Sequence, residues 1–240
     1  MQATHSDLKT QLVLLLDKLI PFLVAAKRFA CACWDSWTPS RRSYSQHGED
    51  ILVLSELHGW NPRDAIYVDV GANHPTCISN TYFLYRRGWH GIVVEPNAGL
   101  IQLHRVFRPR DVQICVGCGR QAALMPFYVS RAPSLSSFSS PEAKYVSRID
   151  YLPVLTLDQL LEPFADKRIA LLSIDTEGVD YDVLIGAEKT LNRTHLLCVE
   201  SNHAGEREKI RSLLEPRFDI VAQVGCNHIF KRREAQPAKG

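Results

Sequence analysis

Apolar positions along the chain follow two different spacings after residue 43. Short apolar and β-branched runs, such as Ala65–Val70, predict buried strands, and segments with apolar positions three or four residues apart predict helices. The predicted strands are 65–70, 91–96, 111–117, 169–175, 195–201, 218–224 and 228–232, and the predicted helices are 48–58, 79–88, 100–107, 155–164, 181–191 and 206–214. Strands that alternate with helices of this length predict βαβ units and a mostly parallel sheet covered on both faces.

The last two predicted strands are joined by a turn that contains Gly225, which favours an antiparallel hairpin at the end of the sheet. The pattern therefore predicts an α/β fold with seven strands, mostly parallel. The serine-rich stretch 130–153 separates the third and fourth strands. Its polar, turn-forming composition predicts a long loop over a site.

Residues 1–43 differ from the rest and are predicted to form an N-terminal helical extension, with 44–240 as the α/β domain. Apolar residues at Leu12, Leu16 and Leu19 have helical spacing, but nearby charges interrupt the run before it could span a bilayer. Two roles stay open for this helix. The favoured one is packing on its own domain or on a second copy in a homodimer, and the other is peripheral contact with a membrane surface.

Composition narrows the class of partner. The chain has 240 residues, 45% of them hydrophobic, and a formal net charge of +2. No dense stripe of lysine and arginine is present, so nucleic acid is not predicted as a partner. The seven cysteines are an odd number and Cys198 lies in a predicted core strand, which favours reduced thiols and a cytoplasmic location.

Polar residues end the first two predicted strands. Asp69 and Gly71 stand at the crevice outside the strand ends, where open parallel sheets bind ligands, and a glycine lets the backbone approach a ligand closely. The further glycines of a G-x-G-x-x-G turn are absent, and Pro75 removes a backbone donor, which argues against a pyrophosphate cradle. A ligand without phosphate, such as S-adenosylmethionine, fits better. Glu95 ends the second strand and is predicted to accept hydrogen bonds from two ribose hydroxyls.

Four segments carry a resemblance to a known family. In chain order they are YSQHGEDILVL, YVDVGANHPTCISNT, GWHGIVVEPN and LLSIDTEGVDYDVLIGA. The region from Tyr44 to Arg232 resembles the FkbM-type family of S-adenosylmethionine-dependent methyltransferases. The resemblance implies a Rossmann-like class I methyltransferase fold, which the terminal hairpin also favours. It implies O-methylation of a hydroxyl on a sugar or glycan or on a secondary metabolite.

The same resemblance implies roles for individual residues near the cofactor. Asp69, Gly71 and Asn73 would line the methionine end of S-adenosylmethionine, and Glu95 would bind its ribose. Gln46 and Glu49 would close over it. This sequence departs from the commoner family pattern at Pro75, where a glycine is usual, and the departure affects the shape of that loop.

Two further carboxylates mark where the acceptor would react. Asp175 and Glu200 end the fourth and fifth predicted strands, so both could face one crevice and bind Mg²⁺ through oxygen ligands. A hydroxyl nucleophile needs a base or a metal, and His203 is a candidate base near neutral pH. The alternatives are that Asp175 caps the following helix and that His203 is a solvent-facing loop residue. Glu177 lies two residues beyond Asp175 and is a further candidate oxygen ligand for Mg²⁺, but for Glu177 and Asp180 capping of the helix start is favoured.

The leading hypothesis is an O-methyltransferase acting on a glycan or a small hydroxylated metabolite. An NAD-dependent oxidoreductase would share the sheet and Glu95, but the missing glycines and the hairpin argue against it. A non-catalytic scaffold that recruits a partner through the N-terminal helix ranks last, because Asp175 and Glu200 are both present.

Overall fold

The computed structural model describes residues 26–34, 36, 43–130, 136–139, 143–201 and 204–233. Within these ranges the strands are β1 Ala65–Val70, β2 Gly91–Val94, β3 Val112–Ile114, β4 Gly117–Cys118, β5 Ala123–Ser130, β6 Val146–Leu155, β7 Arg168–Ile174, β8 Thr194–Glu200, β9 Phe218–Val224 and β10 Asn227–Arg232. The helices are α1 26–34, α2 Glu49–Glu56, α3 Tyr82–Arg86, α4 Ala98–Phe107, α5 Leu157–Leu160, α6 Asp180–Ile185, α7 Glu188–Asn192 and α8 Ala204–Leu214.

Seven strands form one sheet in the order β3-β2-β1-β7-β8-β10-β9. Strands β1, β2, β3, β7 and β8 pair in parallel, and β10 pairs antiparallel with both β8 and β9. The predicted α/β class, the mostly parallel sheet and the C-terminal hairpin are therefore confirmed. The central strands β1 and β7 bring the two halves of the chain side by side.

The central strands β1, β2, β7 and β8 are buried on both faces, which explains why they are nearly continuous apolar runs. Val68 and Leu172 belong to the core cluster on one face, and Tyr67 and Leu171 belong to the cluster on the other. All four side chains are fully buried. This packing fixes the strand ends, and hence the side chains that the strands present at their carboxyl edge.

The prediction of a loop over 130–153 is wrong for its second half. Strands β5 and β6 pair antiparallel, and β6 also pairs with β4 to complete a second, three-stranded sheet. The sequence pattern does not indicate this sheet, because its outer face is both apolar and exposed. Leu124, Ile149 and Tyr151 on that face are 52–68% exposed. An apolar residue on a solvent-facing side removes the alternation that normally identifies a half-buried strand.

The predicted helix 181–191 is interrupted at Gly186, which separates α6 from α7. A Cβ atom at Gly186 would lie 2.3 Å from the Gly119 carbonyl oxygen, so the chain turns where another backbone segment passes. The predicted N-cap of α5 is confirmed, because Thr156 and Gln159 form a reciprocal capping box. Helix α5 itself is only one turn long.

Helix α1 packs on the loop that follows β1. A disulfide joins Cys31 to Cys77, the His74 ring donates through Nε2 to the Arg28 carbonyl oxygen at 3.0 Å, and Phe29 meets Phe107 edge-on at 5.4 Å. The prediction of reduced thiols is wrong for this pair. The predicted amphipathic run before residue 26 lies outside the described residues. Among the described helices, none is long and apolar enough to cross a membrane.

Loss of the disulfide should destabilise the protein. Cys31 and Cys77 are 46 residues apart, and a cross-link of that span restricts the unfolded chain. We expect Cys77→Ser to lower the free energy of unfolding by about 2–4 kcal/mol, measured by urea denaturation without reductant. Cys115→Ser, which alters an exposed free thiol, is the control and should match wild type. Equal midpoints for Cys77→Ser and wild type would contradict the prediction.

Candidate active site

A cavity opens at the carboxyl edge of the large sheet and has a volume of about 260 Å³. The loops after β1 and β2 form one side of it, and those after β7 and β8 form the other. Seven of the residues predicted from sequence line this cavity, namely Gln46, Asp69, Gly71, Asn73, Glu95, Asp175 and Glu200. The crevice predicted at the ends of adjacent parallel strands is therefore present.

Gly71 is required by the packing of the two central strands. Its φ is +74°, and a Cβ atom there would lie 1.9 Å from the carbonyl oxygen of Asp175. The N–H of Asp175 in turn donates to the Val70 carbonyl at 3.0 Å, and the Gly71 N–H donates to Val94 at 2.9 Å. The absence of a side chain at Gly71 therefore lets the backbone of Asp175 pack closely against it, and this is a reason for the glycine besides the approach of a ligand.

Glu95 is held in a fixed orientation by backbone donors. The N–H of Asn73 donates to Glu95 Oε2 at 3.0 Å, and the N–H of Asn97 donates to Oε1 at 2.8 Å. Each carboxylate oxygen keeps a second lone pair for a further donor. Asn73 has a φ of +46°, and its buried Oδ1 atom has no hydrogen-bond partner among the described residues.

A buried polar network holds the Asp69 carboxylate in place. Its Oδ2 atom accepts from the Thr81 hydroxyl and lies 3.9 Å from Arg108 Nη1. Arg108 is fully buried, and it also donates to Asp111 at 2.7 Å and to the Tyr67 hydroxyl at 2.8 Å. Burial raises the pKa of Asp69, and Arg108 opposes that rise. Sequence reasoning missed Arg108, because it lies in a connection with no recognisable pattern.

Three carboxylates converge on the opposite side of the cavity. One oxygen from each of Asp175, Glu177 and Glu200 lies within 4.8 Å of the others. Burial and Glu200 hold the pKa of Asp175 well above its usual value, and burial, Glu200 and Asp180 raise the pKa of Glu177 to about 7. Like charges this close repel one another unless a proton or a cation lies between them.

The prediction that Glu177 supports the following helix is wrong. Helix α6 begins at Asp180, its N-cap is Val179, and Glu177 lies earlier, in a turn with a φ of +56°. Asp180 does act locally, since its carboxylate accepts from the Thr176 N–H at 2.9 Å and the Gly178 N–H at 3.2 Å. Gly178 beside Glu177 is consistent with a turn, but it does not show that Glu177 lies beside Asp175 and Glu200.

Asp175 does not cap α6 either, because its buried Oδ1 atom has no hydrogen-bond partner among the described residues.

The sequence of this chain matches a known protein family over most of the region that forms the cavity. The family model for the methyltransferase FkbM domain matches residues 69–227, which is more than half of the chain. The chain belongs to the FkbM methyltransferase family. No curated protein matches it.

Within the FkbM domain, the two residues predicted from the helix start of α2 are placed differently. Gln46 lines the cavity. Glu49 is fully buried outside the described lining, where it accepts from the His47 N–H at 2.9 Å and from Asn227 Nδ2 at 2.7 Å. Glu49 therefore joins α2 to the C-terminal hairpin, and this position does not support its predicted contact with the cofactor. His203 lies outside the described residues.

Glu95 should make the stability of the FkbM domain depend on pH. Burial raises its pKa to about 7, although the N–H donors of Asn97 and Asn73 oppose this. A carboxyl whose pKa rises on folding stabilises the fold below its unfolded pKa, and that stability is lost as the pH rises through the folded pKa. We expect this group to lower the free energy of unfolding by roughly 3 kcal/mol between about pH 4.5 and 7.

Urea unfolding across that pH range measures the effect in the unliganded protein. Glu95→Gln should show a smaller loss of stability toward high pH than wild type, because glutamine does not titrate. Glu188→Gln, at an exposed position on α7, should keep the wild-type slope. The same slope for Glu95→Gln and wild type would show that Glu95 titrates normally.

Proposed function

We propose that this FkbM domain is an S-adenosylmethionine-dependent O-methyltransferase that acts on a hydroxyl of a glycan or secondary metabolite. The observation that carries the proposal is one cavity with two chemically different sides. Glu95 and Asn73 lie on one side, and the carboxylates of Asp175, Glu177 and Glu200 lie on the other. The first side suits a cofactor with ribose and amino groups, and the second suits an acceptor hydroxyl.

The cofactor side has the right unused acceptors. Glu95 is oriented by two N–H donors and can accept from both ribose hydroxyls, and the unpartnered Asn73 Oδ1 can accept from an ammonium group. S-adenosylmethionine, when bound, would supply a methyl group on a sulfonium for transfer to the acceptor oxygen. The cavity residues would hold both reactants in line, which would lower the entropic part of the barrier.

The acceptor side has the groups that a hydroxyl needs. Asp175, Glu177 and Glu200 offer three oxygen ligands to Mg²⁺, and the unpartnered Oδ1 of Asp175 fits such a role. A divalent cation bound there would make the acceptor hydroxyl more acidic. In the chain, His203 follows Glu200 by three residues, and we assign it the role of general base that takes the hydroxyl proton.

The small sheet and the neighbouring segment 136–139 add an apolar wall that suits the C–H face of a sugar ring. The Phe127 and Phe138 rings lie 4.9 Å apart, and both residues line the cavity. The Ser137 hydroxyl donates to the Glu177 carbonyl oxygen at 2.8 Å, which attaches this wall to the carboxylate loop. An acceptor that packs on the rings would therefore meet the carboxylates with its hydroxyl groups.

The alternative of an NAD-dependent oxidoreductase is disfavoured by the turn after β1. A pyrophosphate needs free N–H groups there. Instead, the N–H groups of Thr76 and Cys77 approach His74 Nδ1 at 3.2 and 3.0 Å, and that of Asn73 donates to Glu95. The donors that a dinucleotide would use are already satisfied within the fold.

Calorimetric titration with S-adenosylhomocysteine and, separately, with NAD tests the proposal, each with and without Mg²⁺. We expect micromolar binding of S-adenosylhomocysteine alone, weakened at least about tenfold by Glu95→Ala, because the ribose loses its charged acceptor. Glu188→Ala, on an exposed part of α7, is the matched control and should bind as wild type does. Binding of NAD in preference would favour the oxidoreductase, and binding of neither ligand by folded protein would favour the scaffold.

A further inference from the structure

A second cavity lies at the opposite edge of the large sheet, away from the candidate active site. It is an open cavity of about 560 Å³ near the amino ends of β1, β7 and β8 and the carboxyl end of β10. Its lining residues are Gly59, Trp60, Asn61, Asp64, Arg168, His195, Arg232 and Arg233. The proposed methyl transfer uses none of these residues.

Positive charge dominates the lining of this basic cavity. Three arginines and one histidine face a single carboxylate, that of Asp64, among the described lining residues. Arg233 pairs with Asp219 at 2.8 Å. Arg232 donates to the carbonyl oxygens of Thr194, at 2.7 Å, and Leu191. These hydrogen bonds fix the Arg232 guanidinium in place. Because carbonyl groups are neutral, they leave its positive charge uncompensated.

Arg168 is positioned by an aromatic ring rather than by carbonyl groups. Its guanidinium lies over the Trp60 ring, 4.5 Å from the centroid, and it forms no ion pair with a carboxylate in the part of the chain that the structure describes. The His195 ring contacts the same indole at 4.6 Å. Stacking uses the face of a guanidinium and leaves the N–H donors in its plane free. Trp60 therefore orients a fork of unused donors.

We infer that this basic cavity is a binding site for a phosphoryl anion, either on a soluble phosphorylated compound or on a phospholipid headgroup. Planar guanidinium groups match the oxygens of phosphate with paired hydrogen bonds, and two uncompensated arginines at one concave site raise the local concentration of anions. Asn61 and His195 supply further polar contacts at its wall. The inference is independent of the proposed methyl transfer.

His195 offers a direct report of anion binding. Burial lowers its pKa, and Lys231, Arg168 and Arg232 lower it further, while Glu56 opposes them. An anion that neutralises the surrounding charge should therefore raise the pKa of His195. This shift can be followed in the wild-type protein by NMR, so the test does not depend on a variant that folds.

Titration with inorganic pyrophosphate at low ionic strength is the experiment. We expect saturable binding, an upward shift of the His195 pKa, and a change of Trp60 fluorescence that Trp60→Phe removes. Arg168→Gln should weaken binding at least about tenfold, since a charged hydrogen-bond partner is lost. Arg148→Gln removes the same charge from an exposed position on β6 and should bind as wild type does. Equal weakening by the two variants, or no binding at millimolar concentration, would overturn the inference.

Vesicles that contain an anionic phospholipid distinguish the two sources of the phosphoryl group. Cosedimentation that Arg168→Gln reduces and Arg148→Gln does not would assign a headgroup. Pyrophosphate binding without such cosedimentation would assign a soluble ligand. Circular dichroism melting confirms that each variant is folded, and Arg168→Lys, which keeps the charge but loses the planar fork, should bind with intermediate affinity.

Discussion

Asp175→Asn should reduce methyl transfer by about a thousandfold or more, while S-adenosylhomocysteine binds with nearly wild-type affinity. Asp175 lies in the carboxylate cluster with Glu177 and Glu200, and its Oδ1 atom is buried without a hydrogen-bond partner among the described residues. Asparagine has the same shape but no charge, so it cannot serve as an anionic metal ligand. The contacts with the cofactor that we propose for Glu95 and Asn73 do not involve Asp175, so they should stay intact.

The same substitution should make the protein more stable at neutral pH. Burial and Glu200 raise the pKa of Asp175, so ionising it in the fold is unfavourable, and asparagine removes that cost. Transfer of a labelled methyl group, calorimetry and thermal melting together test the prediction. Asp182→Asn, which alters a partly exposed carboxylate on α6 that pairs with Arg120, should keep wild-type activity. Full activity of Asp175→Asn would show that Asp175 does not act on the acceptor. A loss of cofactor affinity as large as the loss of methyl transfer would show the same.

Gly71→Ala should destabilise the fold by more than about 3 kcal/mol or prevent folding altogether. The added Cβ would stand 1.9 Å from the Asp175 carbonyl oxygen, which belongs to backbone rather than to a side chain that can rotate away. Both chain segments leave paired central strands, so neither can move without breaking the β1–β7 pairing. Loss of that pairing would also separate the two sides of the cavity.

Gly88→Ala is a matched control for the collision. Gly88 has a similar φ, +89°, but a Cβ atom there meets nothing within 4 Å. Its cost should be only the strain of a left-handed backbone, about 1–2 kcal/mol. Urea denaturation of both variants separates the two effects. Equal destabilisation by Gly71→Ala and Gly88→Ala would mean that the central strands can separate enough to accept a methyl group.

Much of the fold follows from sequence because the central strands of the sheet are buried on both faces. Runs such as Ile169–Ile174 have no polar side that could be confused with a loop, and the carboxylates that end them are correctly placed in one crevice. Asp69, Glu95, Asp175 and Glu200 could thus be located from strand ends alone. The roles proposed for them rest on the family and on their chemistry.

Other features needed the three-dimensional structure. Strands β5 and β6 carry apolar residues such as Leu124 and Tyr151 on an exposed face, so burial does not explain their pattern. Cys31 lies close enough to Cys77 to form a disulfide only because α1 packs on the loop after β1. Glu177 joins the site through a turn, and its φ cannot be read from an acidic residue near a helix. In each case a tertiary contact outweighed the local pattern.

The pairing of β1 with β7 has a consequence for the order of folding. Tyr67 pairs with Leu171, so about one hundred residues must be spanned before the centre of the sheet closes. Contacts this distant form slowly. During synthesis, Asp69 and Glu95 emerge long before Asp175 and Glu200, and a partly made chain has only half of the cavity. A ligand that contacts both sides can therefore stabilise only the finished fold, and it cannot guide the early steps.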